Sequence, residues 1–110
     1  MAKSYGQRRS KLQENRIAAD VGGRRQSGSG SSDFAKGDVR KQGDLRVEAK
    51  TTSSKSYALK ASEIAKINGE AAMAGEDWAM QIEFQGQMGR NRKVAVIDWQ
   101  TFLDLRAENE

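Results

Sequence analysis

The sequence predicts a mixed α/β (α+β) domain with a central mixed β-sheet flanked by helices. Two observations point there. Apolar residues recur at helical spacing in some stretches and alternate at strand spacing in others. Glycine or a capping residue marks most of the switches between them. The length, 110 residues, fits a single domain over 1–110 and leaves no room for two.

The elements follow in order. Residues 1–8 are a basic, frayed arm. The run from about Arg9 to Val21 suits a helix: Leu12, Ile17, Ala18 and Val21 roughly share a stripe, Glu14 lies off its centre, and Gly22-Gly23 is the stop. A short extra strand fits near 24–28. Residues 26–33, QSGSGSSD, read as linker, or as a loop whose backbone can approach a phosphate. A hairpin comes next, turning at Gly43, with its second strand at 45–51. Leu45, Val47 and Ala49 point to one face, Arg46, Glu48 and Lys50 to the other. The hydroxyl-rich run 51–60 leads to a helix at 62–74, capped by Ser62, buried along Ile64, Ile67, Ala71 and Ala74, weakened by Gly69 and ended by Gly75. Trp78, Met80, Ile82 and Phe84 alternate in a strand at 78–85. A basic glycine loop (86–92), a strand (93–98) and a helix near 99–107 capped by Asp98 complete the chain. Trp78, Trp99 and Phe102 are read as core or self-association surface in preference to base-stacking groups.

Composition sets the limits. Leu, Ile, Val and Phe total 18 residues, about 16% of the chain and below the roughly 20% at which a foldable core becomes doubtful. The net charge of only +4 and the clear periodicity argue against disorder. The expectation is a small, Ala-rich core, helped by self-association. With no Cys and no His, thiol nucleophiles, imidazole bases, thiolate zinc sites and Ser-His-Asp triads are excluded. Any catalysis has to use carboxylates, lysine, hydroxyls or a hard cation such as Mg²⁺. No apolar run is long enough to span a membrane, and no apolar leader opens the chain, so a cytoplasmic protein is expected. Residues 1–27 hold seven bases (Lys3, Arg8, Arg9, Lys11, Arg16, Arg24, Arg25) against Glu14 and Asp20. That is +5 on a remainder of −1, and it suggests a polyanion partner. A plain solvated arm is the alternative.

The informative spacing is Asp38, nine residues, then Glu48-Ala49-Lys50. Paired strands lie about 4.7–4.9 Å apart, so Asp38 can sit near Glu48; Glu48 and Lys50 share a face about 6.5–7 Å apart. Two hard oxygen donors suit Mg²⁺, and an ammonium beside them suits charge on a phosphoryl group. Asp44 is about 13 Å from Glu48 along the strand and belongs to the turn. The plain alternative is a solvated strand face with weak cross-strand ion pairs.

Gly37-Asp38-Val39 followed by Val47-Glu48-Ala49-Lys50 resembles the PD-(D/E)xK nuclease superfamily, with Gly37 where proline is usual. The wider order is similar to the archaeal-type Holliday junction resolvases and their phage relatives. It comprises a basic helix with Glu14, SGSGS at 27–31, KGD at 36–38 and EAKTT at 48–52, over about residues 8–85. The resemblance implies a restriction-endonuclease-like core and a homodimer whose two sites cut opposed strands of a four-way DNA junction. It implies that Asp38, Glu48 and the extra acid Glu14 hold Mg²⁺ (Mn²⁺ substituting) with the Ala49 carbonyl, and that Lys50 is the motif lysine. Ser29 matches a serine beside the scissile phosphate, Ser27 or Ser31 being alternatives by register. Arg24 and Arg25 match the basic position before that loop. Further DNA contacts are expected from Arg8, Arg9, Lys11, Arg16, Lys36, Lys55 and Tyr57. A bacterial, archaeal or phage-infected cell is the implied setting. The competing expectations are a nuclease for other branched, nicked or linear DNA and a nucleic-acid-binding module without activity.

Overall fold

The computed structural model describes residues 5–26, 38–87 and 90–109. Their order is α1 (Tyr5–Val21), β1 (Arg24–Arg25), β2 (Val39–Lys41), β3 (Leu45–Thr52), α2 (Ala61–Ala74), β4 (Asp77–Gln87), β5 (Arg90–Ile97) and α3 (Trp99–Glu108). The five strands form one mixed sheet in the order β1-β2-β3-β4-β5. Only β3 and β4 run parallel, because α2 carries the chain back between them. The mixed sheet flanked by helices is as expected. No helix among the described residues is long and apolar enough to cross a membrane.

The two faces of the sheet carry separate small cores. The α2 face buries Ile67, Ala71, Trp78 and Met80, with Leu59, Ile64 and Val96 packed against them. The α1 face buries Ile17, Val39 and Val47, flanked by Ala18, Val21, Leu45, Ala49 and Ala79. Each large apolar side chain buried here contributes about 1.5–3 kcal/mol. The alternation of Trp78, Met80 and Ile82 is the pattern expected of β4, and all three are buried.

The turns form for local reasons. Gly43, at φ +76°, lets the chain reverse tightly between β2 and β3. Gly75, at φ +68°, ends α2 in the left-handed conformation, its N–H donating to the carbonyl of Ala72. Asp98 caps α3 by accepting from the Gln100 N–H at 3.1 Å.

Several expected features differ. Helix α1 starts at Tyr5, so the expected arm over 1–8 is helical from its fifth residue. Its inward stripe contains Gln13 (1% exposed), while Leu12 is 47% exposed. Leu12 and Ile17 are five residues apart, about 140° round a helix, whereas Gln13 and Ile17 share a face. The α2 cap is Lys60 rather than Ser62: the Lys60 N–H donates to the Glu63 carboxylate at 3.3 Å, and the helix starts at Ala61, one residue early. Residues expected as a loop over 86–92 instead extend β4 to Gln87 and begin β5 at Arg90, with a bulge between Phe84 and Gln87. Of the aromatics read as core or association surface, Trp78 is core and Trp99 is 70% exposed.

Candidate functional site

Strand β2 is short, and its register with β3 decides the site. Val39 pairs with Val47 and Lys41 with Leu45, so Asp38, one residue before β2, stands across from Glu48. The Asp38 carboxylate accepts the Ala49 N–H at 2.7 Å. It thereby continues the ladder past the end of β2 and is pinned against the Glu48-Ala49-Lys50 segment. Along β3, Glu48 and Lys50 register with Met80 and Ile82, which places both on the α2 face. Lys50 Nζ lies 3.9 Å from Glu63 on α2, both side chains being 28% exposed.

Electrostatics set these carboxylates apart. Burial pushes the Glu48 pKa above its ordinary value; Lys50 pulls it down and Asp38 pushes it up, with smaller opposing effects of Lys66 and Glu70. Glu14 is also raised, first by burial and then by Asp38, against the hydrogen bond and charge of Arg25. Asp38 thus acts on both glutamates, while neither glutamate figures among the influences on the other. That fits their placement: Glu14 projects from α1 and Glu48 from the opposite face of the sheet, with Asp38 at the edge between them. Tyr57 stands in the field of Lys50, Glu63 and Glu48, and burial is the main cause of its raised pKa.

The donor set is hard oxygen, as Mg²⁺ requires. Asp38 and Glu48 fit such an ion as a pair. Glu14 is held by Arg25, whose Nε donates to its carboxylate at 2.9 Å. Among the described residues no three Asp or Glu side chains come together closely enough to hold one ion. The expected four-member set of Asp38, Glu48, Glu14 and the Ala49 carbonyl is therefore not assembled here. The reason is that Arg25 draws Glu14 toward β1.

The basic residues divide by role. Arg9 and Arg16 reach Glu83 at 4.0 and 3.9 Å, and Glu83 is 1% exposed under α1. Both therefore support that buried carboxylate. Lys11, Arg24 and Lys55 are exposed. Arg24 borders a cavity of about 310 Å³ lined also by Gly22, Gly23, Gln26, Arg40, Lys41 and Gln42. Strand β1 pairs with β2 through Arg24 with Arg40 and Arg25 with Val39, so this cationic hollow lies along the sheet edge that carries Asp38. Ser27, Ser29, Ser31 and Lys36 lie outside the described residues, as does the side chain of Arg8.

Sequence reasoning missed three features. Arg46, expected on an outward face, is 1% exposed. It donates to Glu76 at 3.1 Å, alongside Arg40 at 2.6 Å and the Gly43 N–H at 3.0 Å. This clamp ties the β2–β3 turn to the start of β4. Gln13 was also missed; its amide donates to the carbonyl of Lys50 at 2.9 Å and so fixes α1 against the motif strand. The third is the polar stripe Glu63, Lys66 and Glu70 on α2. Its helical spacing, three and four apart beside the apolar stripe, was the available signal. Comparison of the chain with protein-family models, with curated proteins and with solved structures finds no match.

Proposed function

We propose that this chain is a metal-dependent endonuclease of the PD-(D/E)xK type that acts on branched DNA, four-way junctions foremost. The observation that carries this reading is the 2.7 Å bond from the Ala49 N–H to Asp38. It holds Asp38, just before β2, against Glu48-Ala49-Lys50 of the central strand β3, with a cationic hollow along the neighbouring β1–β2 pair. In an ordinary solvated strand pair, Glu48 would not be half-buried and short of compensating charge.

Asp38 and Glu48 are the residues that would hold Mg²⁺ or Mn²⁺. When bound, the ion supplies Lewis acidity and an activated water for phosphodiester hydrolysis. Lys50 stabilises negative charge developing on the phosphoryl oxygens; its loose 3.9 Å contact with Glu63 can be exchanged for a phosphate. Arg24 and Lys41, both exposed, attract the flanking backbone phosphates. Roles in DNA recombination or repair, in a phage-infected cell among other settings, belong to the same proposal.

A second reading, a nucleic-acid-binding module without activity, is favoured by one observation: Arg25 holds Glu14 away from Glu48. One assay separates the two. A synthetic four-way junction and a matched linear duplex are incubated with Mg²⁺ and with EDTA, using wild type and Lys50→Ala. Paired nicks on the junction alone, lost with EDTA and in the variant, support a resolvase. Equal cutting of both substrates moves the reading to a general nuclease. Salt-sensitive binding with no cutting leaves the binding module.

A further inference from the structure

The sheet has two edges, and they differ. One is β1, only two residues long, too short to template a second copy. The other is β5, eight residues long and, among the described residues, paired only with β4. Residues 91–95 of β5 are exposed, including Val94 at 38%. The chain then runs straight into α3, which has no buried residue at all. Trp99 is 70% exposed, Leu105 48%, Leu103 41% and Phe102 39%; the rings of Trp99 and Phe102 stack with centroids 5.2 Å apart. A long open edge strand is a template for pairing, and an aromatic cluster of this kind beside it marks an association surface.

We propose that β5 and α3 form a two-fold interface with a second copy of this chain, the β5 strands pairing antiparallel about Ala95. Charge complementarity selects both the partner and the register. Centred on Ala95, the pairing sets Val94 opposite Val96, Lys93 opposite Ile97, and Arg92 of one copy opposite Asp98 of the other. Asp98 keeps extended backbone (φ −61°, ψ 137°), so the ladder can run through it. The smallest side chain of the segment then lies on the axis, where the strands approach most closely. A shift of centre to Val96 removes the Arg92–Asp98 pairs and sets Val94 against Asp98. The α3 helices start at each end of this ladder, which brings Trp99 and Phe102 to the seam and withdraws them from water. The contact does not depend on the reaction proposed above, and its test has no cleavage readout.

The chain has no Cys, so one engineered thiol reports one position. Opposed Cα atoms in an antiparallel pair are about 4.5–5.5 Å apart, inside the roughly 4.4–6.8 Å that a disulfide spans. The expected result is that the full chain sediments as a dimer at micromolar concentration. Ala95→Cys gives a reducible covalent dimer under mild oxidation, and Ser53→Cys, at an exposed site far along the chain, does not. Ala95→Glu, which sets two carboxylates face to face on the axis, gives a monomer with unchanged circular dichroism. Arg92→Glu raises the dimer dissociation constant about tenfold. A monomeric wild type overturns the proposal. So does a dimer that Ala95→Cys fails to cross-link or that Ala95→Glu leaves intact.

Discussion

The start and the middle of β3 treat buried charge in opposite ways. At its start, Arg46 is enclosed, and with Arg40 and the Gly43 N–H it surrounds Glu76. Burial alone would raise the Glu76 pKa, but the Arg40 bond, the Gly43 N–H and Arg46 outweigh it and hold the carboxyl below its ordinary value. Farther along the strand, Glu48 is desolvated, Lys50 compensates it only in part, and Asp38 adds like charge. The first arrangement is satisfied and stabilises the fold. The second is left short of positive charge, which is the condition in which a cation is welcome. Two carboxylates about four residues apart along the sheet therefore separate into a structural clamp and a candidate site by the number of donors around each.

The largest expected effect lies at the middle of β3. Lys50→Ala and Glu48→Gln should each lower junction cleavage by about 10²–10³-fold, measured by single-turnover nicking with Mg²⁺. Cleavage within a few-fold of wild type in either variant would remove the site from this part of β3. Next comes the clamp. Glu76→Ala removes the anion shared by buried Arg46 and partly buried Arg40 and should cost about 3–5 kcal/mol, read from urea unfolding. A loss under about 1 kcal/mol would show that the clamp behaves as a surface pair.

The pH dependence sharpens the contrast, because the signs differ. The folded-state pKa of Glu76 is lowered from 4.5. Its contribution to stability is therefore complete above that value and is lost as pH falls through the folded pKa. For Glu48 the folded-state pKa is raised from 4.5. Its ionisation therefore opposes folding at neutral pH, and that penalty disappears as pH falls through the raised value. Glu48→Gln should accordingly raise the melting temperature by a few degrees at pH 7 while losing activity, with the gain shrinking toward pH 4. A melting temperature that falls at pH 7 would mean that Glu48 is as well compensated as Glu76. The smallest effect is at the hollow: Arg24→Ala should weaken DNA binding in EDTA and reduce the slope of log affinity against log salt by about 1.

Much of the fold was legible because it rests on local rules. The alternation of Trp78, Met80 and Ile82, the turn at Gly43, the stop at Gly75 and the cap at Asp98 each depend on residues a few positions apart. The spacing of Asp38, Glu48 and Lys50 was legible for the same reason: a tight hairpin converts sequence separation into distance across two strands. Gln13, Arg46 and Glu83 were not legible. Each is a polar residue buried by an element distant in sequence, and its partners (Lys50, Glu76, Arg9) lie from 30 to 74 positions away. Periodicity assigns such residues to the surface, because nothing local marks the side chain that will satisfy them.

The sequence by itself determined that the chain lacks thiol and imidazole chemistry, that it mixes strands and helices, and that Asp38 can sit near Glu48 across a turn. Only the tertiary structure decided that Glu14 is drawn to Arg25 rather than to Glu48, and that α1 encloses Gln13 and Glu83 beside an apolar core. It also decided that, among the described residues, β5 and α3 are left open. The physical reason is that composition and short-range spacing fix which groups exist and how neighbours along the chain meet. Which charge is neutralised, and which apolar surface stays in water, depends on the packing of distant segments.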